Sequence, residues 1–183
     1  MKFNYVFGGG PYKGHCGSSE MHQAPKIIGC FKEFFKDKQF DTIIEIGTAF
    51  GGLTMLLVDL NPFVEIHTFD VTEWMKYRID GATKHIENVF FEGKEDIVRM
   101  ILEEKKVLLI CDGGDKPREF NVFAPYLKPG DFIMAHDYEE NTCGWNWIEI
   151  RKKDIEDTIK ECNLIPHMSD VMGEVAWACF EKQ

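Results

Sequence analysis

The chain has 183 residues, enough for one domain and short of two, because about 150 residues already bury roughly 70% of their unfolded surface in a single core. Its 44% hydrophobic and 28% charged content excludes a disordered chain, and a formal charge of −10 would repel a phosphate backbone, so a nucleic-acid partner is not expected. No apolar run approaches the ~18 residues of a membrane span, and the opening Met1-Lys2-Phe3-Asn4-Tyr5-Val6-Phe7 lacks the apolar stretch of a secretory leader, which predicts a cytoplasmic protein.

In chain order, Gly8, Gly9, Gly10, Pro11, Gly14, Gly17 and Pro25 give residues 7–25 a loop composition, and 1–24 are expected to form a glycine-rich N-terminal loop or lid ahead of a helix at 25–37. From residue 41 short apolar runs alternate with amphipathic ones. Residues 42–46, 65–69, 89–91, 107–111 and 131–135 read as strands, with helices near 52–60, 78–87, 94–105 and 116–127. A long helix at about 145–161 follows, then two further strand candidates, 163–168 and 175–180, the last beside a turn at Gly173. The six cysteines, Cys16, Cys30, Cys111, Cys143, Cys162 and Cys179, are scattered without a CxxC pair and read as reduced thiols. The alternation predicts one α/β domain over 1–183, a mostly parallel seven-stranded sheet with an antiparallel last strand. Right-handed crossovers align the carboxyl ends of its strands along one edge, where ligands bind.

The turn Glu45-Ile46-Gly47-Thr48-Ala49-Phe50-Gly51-Gly52 joins the first of these strands to a helix, so its backbone N–H groups can face a ligand. A dinucleotide site needs GxGxxG and has Ala49 at its second glycine here; a P-loop needs a lysine where Leu53 stands. Both phosphate readings weaken. An acid, one residue, a glycine and a second glycine four residues on is the pattern that surrounds the methionine end of S-adenosylmethionine (SAM), whose ammonium and sulfonium want oxygen neighbours. Glu45, Gly47, Thr48, Gly51 and Gly52 are therefore cofactor candidates, the alternative being a plain connector. A side chain at Gly47 is expected to abolish binding while the fold survives. Asp70, ending the second strand, can accept hydrogen bonds from both ribose hydroxyls or cap a helix, and Gly93 and Lys94 would lie beside the adenine.

Two more strand ends carry chemistry: Asp112-Gly113-Gly114-Asp115 and His136-Asp137-Tyr138. On adjacent strands, Asp112, His136 and Asp137 would offer two oxygens and a nitrogen to Mg²⁺ or Mn²⁺, and two carboxylates that close without a cation would repel. Asp112 would also border the cofactor. Asp112, Asp115 and His136 are the catalytic candidates, with His136 and Asp115 both open as the base. Trp145 and Trp147 follow as pocket walls or as packing.

These segments, with His22-Gln23-Ala24-Pro25, Phe69-Asp70 and Leu127-Lys128-Pro129-Gly130-Asp131, resemble class I methyltransferases close to the macrocin and rhamnosyl O-methyltransferases and the so-called cephalosporin hydroxylases, over residues 22–138. The resemblance implies a Rossmann-like SAM-dependent fold, a Mg²⁺ site after the fourth and fifth strands, and an oxygen nucleophile on a sugar or other small molecule. By matching position it assigns Glu45, Gly47 and Asp70 to the cofactor and Asp112, His136 and Asp137 to the metal. Many relatives carry a histidine where this chain has Asp115. The expected activity is metal-assisted methyl transfer to a small-molecule hydroxyl, without a membrane partner and with homodimer formation left open. The rivals are a SAM-binding module without turnover, which Asp115 supports, and an NAD-dependent oxidoreductase, which Ala49 disfavours.

Overall fold

The computed structural model describes residues 10–15, 17–75 and 77–183. Cys16 and the opening seven residues lie outside them.

Seven strands form one sheet: β3 (Thr42–Ile46), β4 (Glu65–Asp70), β5 (Thr83–Ile86), β6 (Val107–Cys111), β7 (Phe132–His136), β8 (Leu164–Pro166) and β9 (Trp177–Lys182), in the order β5-β4-β3-β6-β7-β9-β8. All neighbours are parallel except β9, which runs antiparallel to both β7 and β8. The expected reversed last strand is this one. Strands β3, β6 and β7 are buried at every position, which favours apolar side chains on both faces and explains their largely apolar runs, with Thr42, Glu45 and His136 the polar exceptions. Successive residues alternate between two cores. Ile43, Leu108, Met134 and Trp177 face one side with helices α1 (Ile27–Phe35) and α2 (Gly52–Leu60), whereas Ile44, Leu109, Ile133 and Phe180 face the other with α3 (Lys94–Glu103), α4 (Lys116–Phe123) and α5 (Lys152–Glu161). A buried Asp131 joins β6 to β7: its Oδ1 accepts from Val107 N at 2.8 Å and its Oδ2 from Lys128 N at 2.8 Å.

Three expectations are corrected. The glycine-rich segment expected as loop contains a hairpin, β1 (Gly10–Gly14) with β2 (Gly17–Met21), anchored on α2 by Tyr12, whose hydroxyl donates to Asp59, and by the buried Met21. Its polar, glycine-rich sequence hides strands because few of its residues, Tyr12, Ser19 and Met21 among them, are buried against α2 and the core. The third parallel strand is 83–86, inside the segment expected as helix 78–87, while the expected strand 89–91 is a turn. The helix expected at 145–161 begins only at Lys152, after an extended approach, with Asp154 Oδ2 accepting from Arg151 N at its start. A short helix, α6 (Ser169–Gly173), ends at Gly173, and a turn over 174–176 leads into β9. The described cysteines are free thiols, with Cys143 exposed and Cys30, Cys111, Cys162 and Cys179 buried. Among the described residues no helix is long and apolar enough to cross a membrane.

Candidate active site

Strand order reverses between β3 and β6, since the chain builds β4 and β5 outward on one side before crossing to the other. Such a switch point leaves a crevice at the carboxyl ends of the two strands. There, and beside β7, lies a cavity of about 570 Å³, within the roughly 300–1,000 Å³ of small-molecule sites. Glu20–Gln23, the exit of the hairpin, border it from above.

The glycine turn forms one wall. Gly47 N and Thr48 N donate to Phe69 O at 2.8 and 3.3 Å, and Gly47, Ala49 and Gly51 all have positive φ, which swings the chain across the ends of β3 and β4 into α2. Of the cofactor candidates, Gly47, Thr48, Gly52 and Asp112 line the cavity. Thr48 is fixed by a 2.6 Å hydroxyl contact with Thr68. Asp70 lies at the outer side of the same turn, its Oδ2 accepting from Ala49 N at 2.9 Å and its Oδ1 from Thr72 N at 3.0 Å. Gly51 packs instead against Met75 and Ile79, and Gly93 and Lys94 open α3 away from this wall. Glu45 is fully buried under the turn: Thr54 of α2 donates to its Oε2 at 2.5 Å, and its Oε1 has no hydrogen-bond partner among the described residues. Burial pushes its pKa up to about 8, against the opposing hydrogen bond from Thr54.

The facing wall is acidic. Asp112 and Asp137 converge with His136, and one ligand atom from each lies within 4.8 Å of the others. His136 Nδ1 is 3.0 Å from Asp112 Oδ1, and the ring stacks on Trp177 at 4.8 Å between centroids. Its Nε2 is buried without a partner among the described residues. Trp145 Nε1 donates to Asp137 Oδ1 at 2.6 Å, so Trp145 both walls the cavity and fixes an acid; Trp147, beside it, is mostly exposed and donates to Glu149. Asp115 is placed apart: it caps α4, accepting from Arg118 N at 3.3 Å, and does not line the cavity. The 112–115 turn is held from below by Glu119, which accepts from Gly113 N and Asp115 N at 3.1 Å each and whose pKa burial raises to about 7 despite those bonds.

Sequence reasoning missed Lys116 and Glu149, and read Gln23 only as part of a loop or lid at the N-terminus. Gln23 is buried, donates through Nε2 to Asp112 Oδ2 at 2.8 Å and accepts from Trp177 Nε1 at 2.9 Å, tying the roof to the acidic wall. Lys116 extends into the acid cluster with its side chain 5% exposed, its Nζ 3.0 Å from Asp137 Oδ2 and 2.6 Å from Glu149 Oε2. A signal for it existed: a lysine at the first position of a helix opposes the helix dipole and needs local anions to explain it. Glu149 had none, since only the extended approach to α5 brings it there.

A divalent ion would find donors of the right kind here, but the Lys116 ammonium already stands among them, 3.0 Å from Asp137 Oδ2 and 3.7 Å from Asp112 Oδ1. The arrangement as it stands does not fit an added metal.

Neither a family model nor a curated sequence matches the chain. Among solved structures it is similar to the MycE methyltransferase from the mycinamycin biosynthetic pathway in complex with Mg and SAH (16% identity, 86% of this chain and 49% of that one, TM-score 0.57). It is also similar to a structure described as a caffeoyl-CoA O-methyltransferase from Staphylococcus aureus (13%, 85% and 82%, TM-score 0.60) and to human N-acetylserotonin methyltransferase in complex with SAM (12%, 85% and 51%, TM-score 0.53). The chain spans about half the length of the MycE chain. At these identities the likeness shows the fold, and the chain has the Rossmann-like fold of these methyltransferases.

Proposed function

We propose that the chain is a SAM-dependent O-methyltransferase acting on a hydroxyl of a small molecule or sugar. The observation that carries this reading is a single cavity with the glycine turn and the start of α2 on one wall and Asp112, His136 and Asp137 on the other, with Asp70 at the end of the turn. A methyl donor and an acceptor oxygen need that juxtaposition, because catalysis of this displacement is mainly alignment. The solved methyltransferases of the same fold, two of them described with SAH or SAM, support it from outside.

In this reading the glycine turn and the first turn of α2 bind the methionine end, and Asp70 holds the ribose hydroxyls. When bound, SAM supplies an electrophilic methyl whose bonding pair stays with sulfur as the acceptor oxygen bonds the carbon. The acceptor's proton passes to a base on the acidic wall, His136 or one of the carboxylates beside it. Asp112, His136 and Asp137 would be the residues to hold a divalent ion, which Mg in the MycE structure supports and the donors already facing their oxygens oppose. A cofactor-binding module without turnover is favoured by one observation, the position of Asp115 outside the cavity.

Calorimetry with SAM tests the reading. Asp70→Ala is expected to weaken binding by about 2 kcal/mol, roughly thirtyfold, since two charge-assisted hydrogen bonds are lost and water restores part of them. Unchanged affinity in a folded variant would remove Asp70 from the site, and no binding by the unaltered chain would sink the assignment. Mass spectrometry of a panel of hydroxylated acceptors then separates enzyme from binding module.

A further inference from the structure

Three carboxylates, Asp112, Asp137 and Glu149, meet at one corner of the cavity, and Coulomb repulsion among them requires a cation. The chain supplies one. Lys116 Nζ lies 2.6 Å from Glu149 Oε2, 3.0 Å from Asp137 Oδ2, 2.9 Å from Gly113 O and 3.7 Å from Asp112 Oδ1. An ammonium has three N–H groups, and Glu149, Asp137 and the Gly113 carbonyl are three acceptors within hydrogen-bond distance. Two carboxylates within hydrogen-bond distance hold it as the charged ammonium.

A divalent ion bridging Asp112 and Asp137 would lie about 2.0–2.6 Å from their oxygens, close to Nζ, which is 3.0 Å from Asp137 Oδ2 and 3.7 Å from Asp112 Oδ1. The two cations would compete for the same oxygens and repel each other. Gln23 and Trp145 donate to the other oxygens of the two acids and so fix both carboxylates beside Lys116.

We propose that the Lys116 ammonium is the resident cation of this site, standing where a divalent ion would bridge Asp112 and Asp137, so that methyl transfer by this chain needs no divalent metal. Lys116 acts as a positioning residue: it keeps three acids pointed at one corner while leaving that corner net negative, one ammonium against three carboxylates, which favours a sulfonium nearby. The activity arm of the proposal rests on the methyltransferase reading; the metal-binding arm does not.

The test titrates the full chain with Mn²⁺, followed by calorimetry and by electron paramagnetic resonance. The unaltered chain is expected to bind no stoichiometric Mn²⁺ up to about 1 mM, and its methyl transfer to be unchanged by EDTA. Lys116→Met, which leaves the acids without their cation, is expected to take up one Mn²⁺ about tenfold or more tighter, and Asp137→Asn added to it should abolish that uptake. Lys116→Arg, which restores a cation, should return to metal indifference. One Mn²⁺ bound by the unaltered chain and lost in Asp137→Asn would overturn the proposal, as would activity abolished by EDTA and restored by Mg²⁺. If Lys116→Met does not fold, the unaltered chain and Lys116→Arg still decide. A chain that neither binds SAM nor turns over would end the methyltransferase reading and leave the Mn²⁺ result to stand by itself.

Discussion

Gly47→Val is expected to destabilise the chain by about 3–5 kcal/mol with no ligand present. Gly47 has φ +100°, a region that β-branched residues scarcely enter, and a Cβ there would overlap the carbonyl of Asp112 and lie 2.7 Å from Gly113 N. Neither side can yield cheaply. Gly47 N is bonded to Phe69 O and Asp112 N to Ile46 O, each at 2.8 Å, so separating the ends of β3 and β6 breaks the ladder that aligns the site. Urea denaturation reads the loss directly, and a midpoint like that of the unaltered chain would show that the two strand ends can part. Sequence alone left the constraint open between the ligand and the backbone conformation, with the fold surviving; the structure gives Gly47 a positive φ and sets the backbone of the neighbouring strand against it.

Stability is expected to fall as pH rises from about 4.5 to about 8, with Glu45 the largest single contributor. Its native pKa is raised to about 8 from 4.5, chiefly by burial, so across that window the folded chain holds a proton that the unfolded chain has released. Raising the pH therefore favours unfolding, by about 1.4 kcal/mol per pH unit and on the order of 5 kcal/mol over the whole window. Glu119 adds the same sign over a narrower range, up to about pH 7. Glu45→Gln, which keeps an acceptor for Thr54 and has no proton to lose, should flatten the profile and stabilise the chain far more at pH 8 than at pH 5. Equal effects at both pH values, or a less stable variant at pH 8, would mean that Glu45 is ionised in the native state.

What could be read from the sequence follows from burial. Residues 43–46 and 107–111 declare themselves as strands because both faces are covered, so nothing polar interrupts them apart from Glu45. Thr83-Lys84-His85-Ile86 is an edge strand without a fully buried residue, and its polar letters give no period to detect. The apolar 89–91 drew attention instead, although Phe91 is exposed and only Val89 is buried. The site divides in the same way. Gly47, Asp112, His136 and Asp137 follow strand ends, and topology alone brings them together. Lys116 and Glu149 meet across 33 positions through a stretch of extended chain that looked helical, and no local pattern records such a meeting.

The position of β9 bears on synthesis. It fills the slot between β7 and β8, so a ribosome must deliver residues 177–182 before either neighbour is paired on that side. Until then the nascent chain presents two open strand edges, the kind of surface to which other unfinished chains add. Trp177, on which His136 stacks and from which Gln23 receives its hydrogen bond, arrives with that strand. The acidic corner therefore gains its final shape only when the sheet closes, and an unfinished chain holds the residues of the site without its geometry.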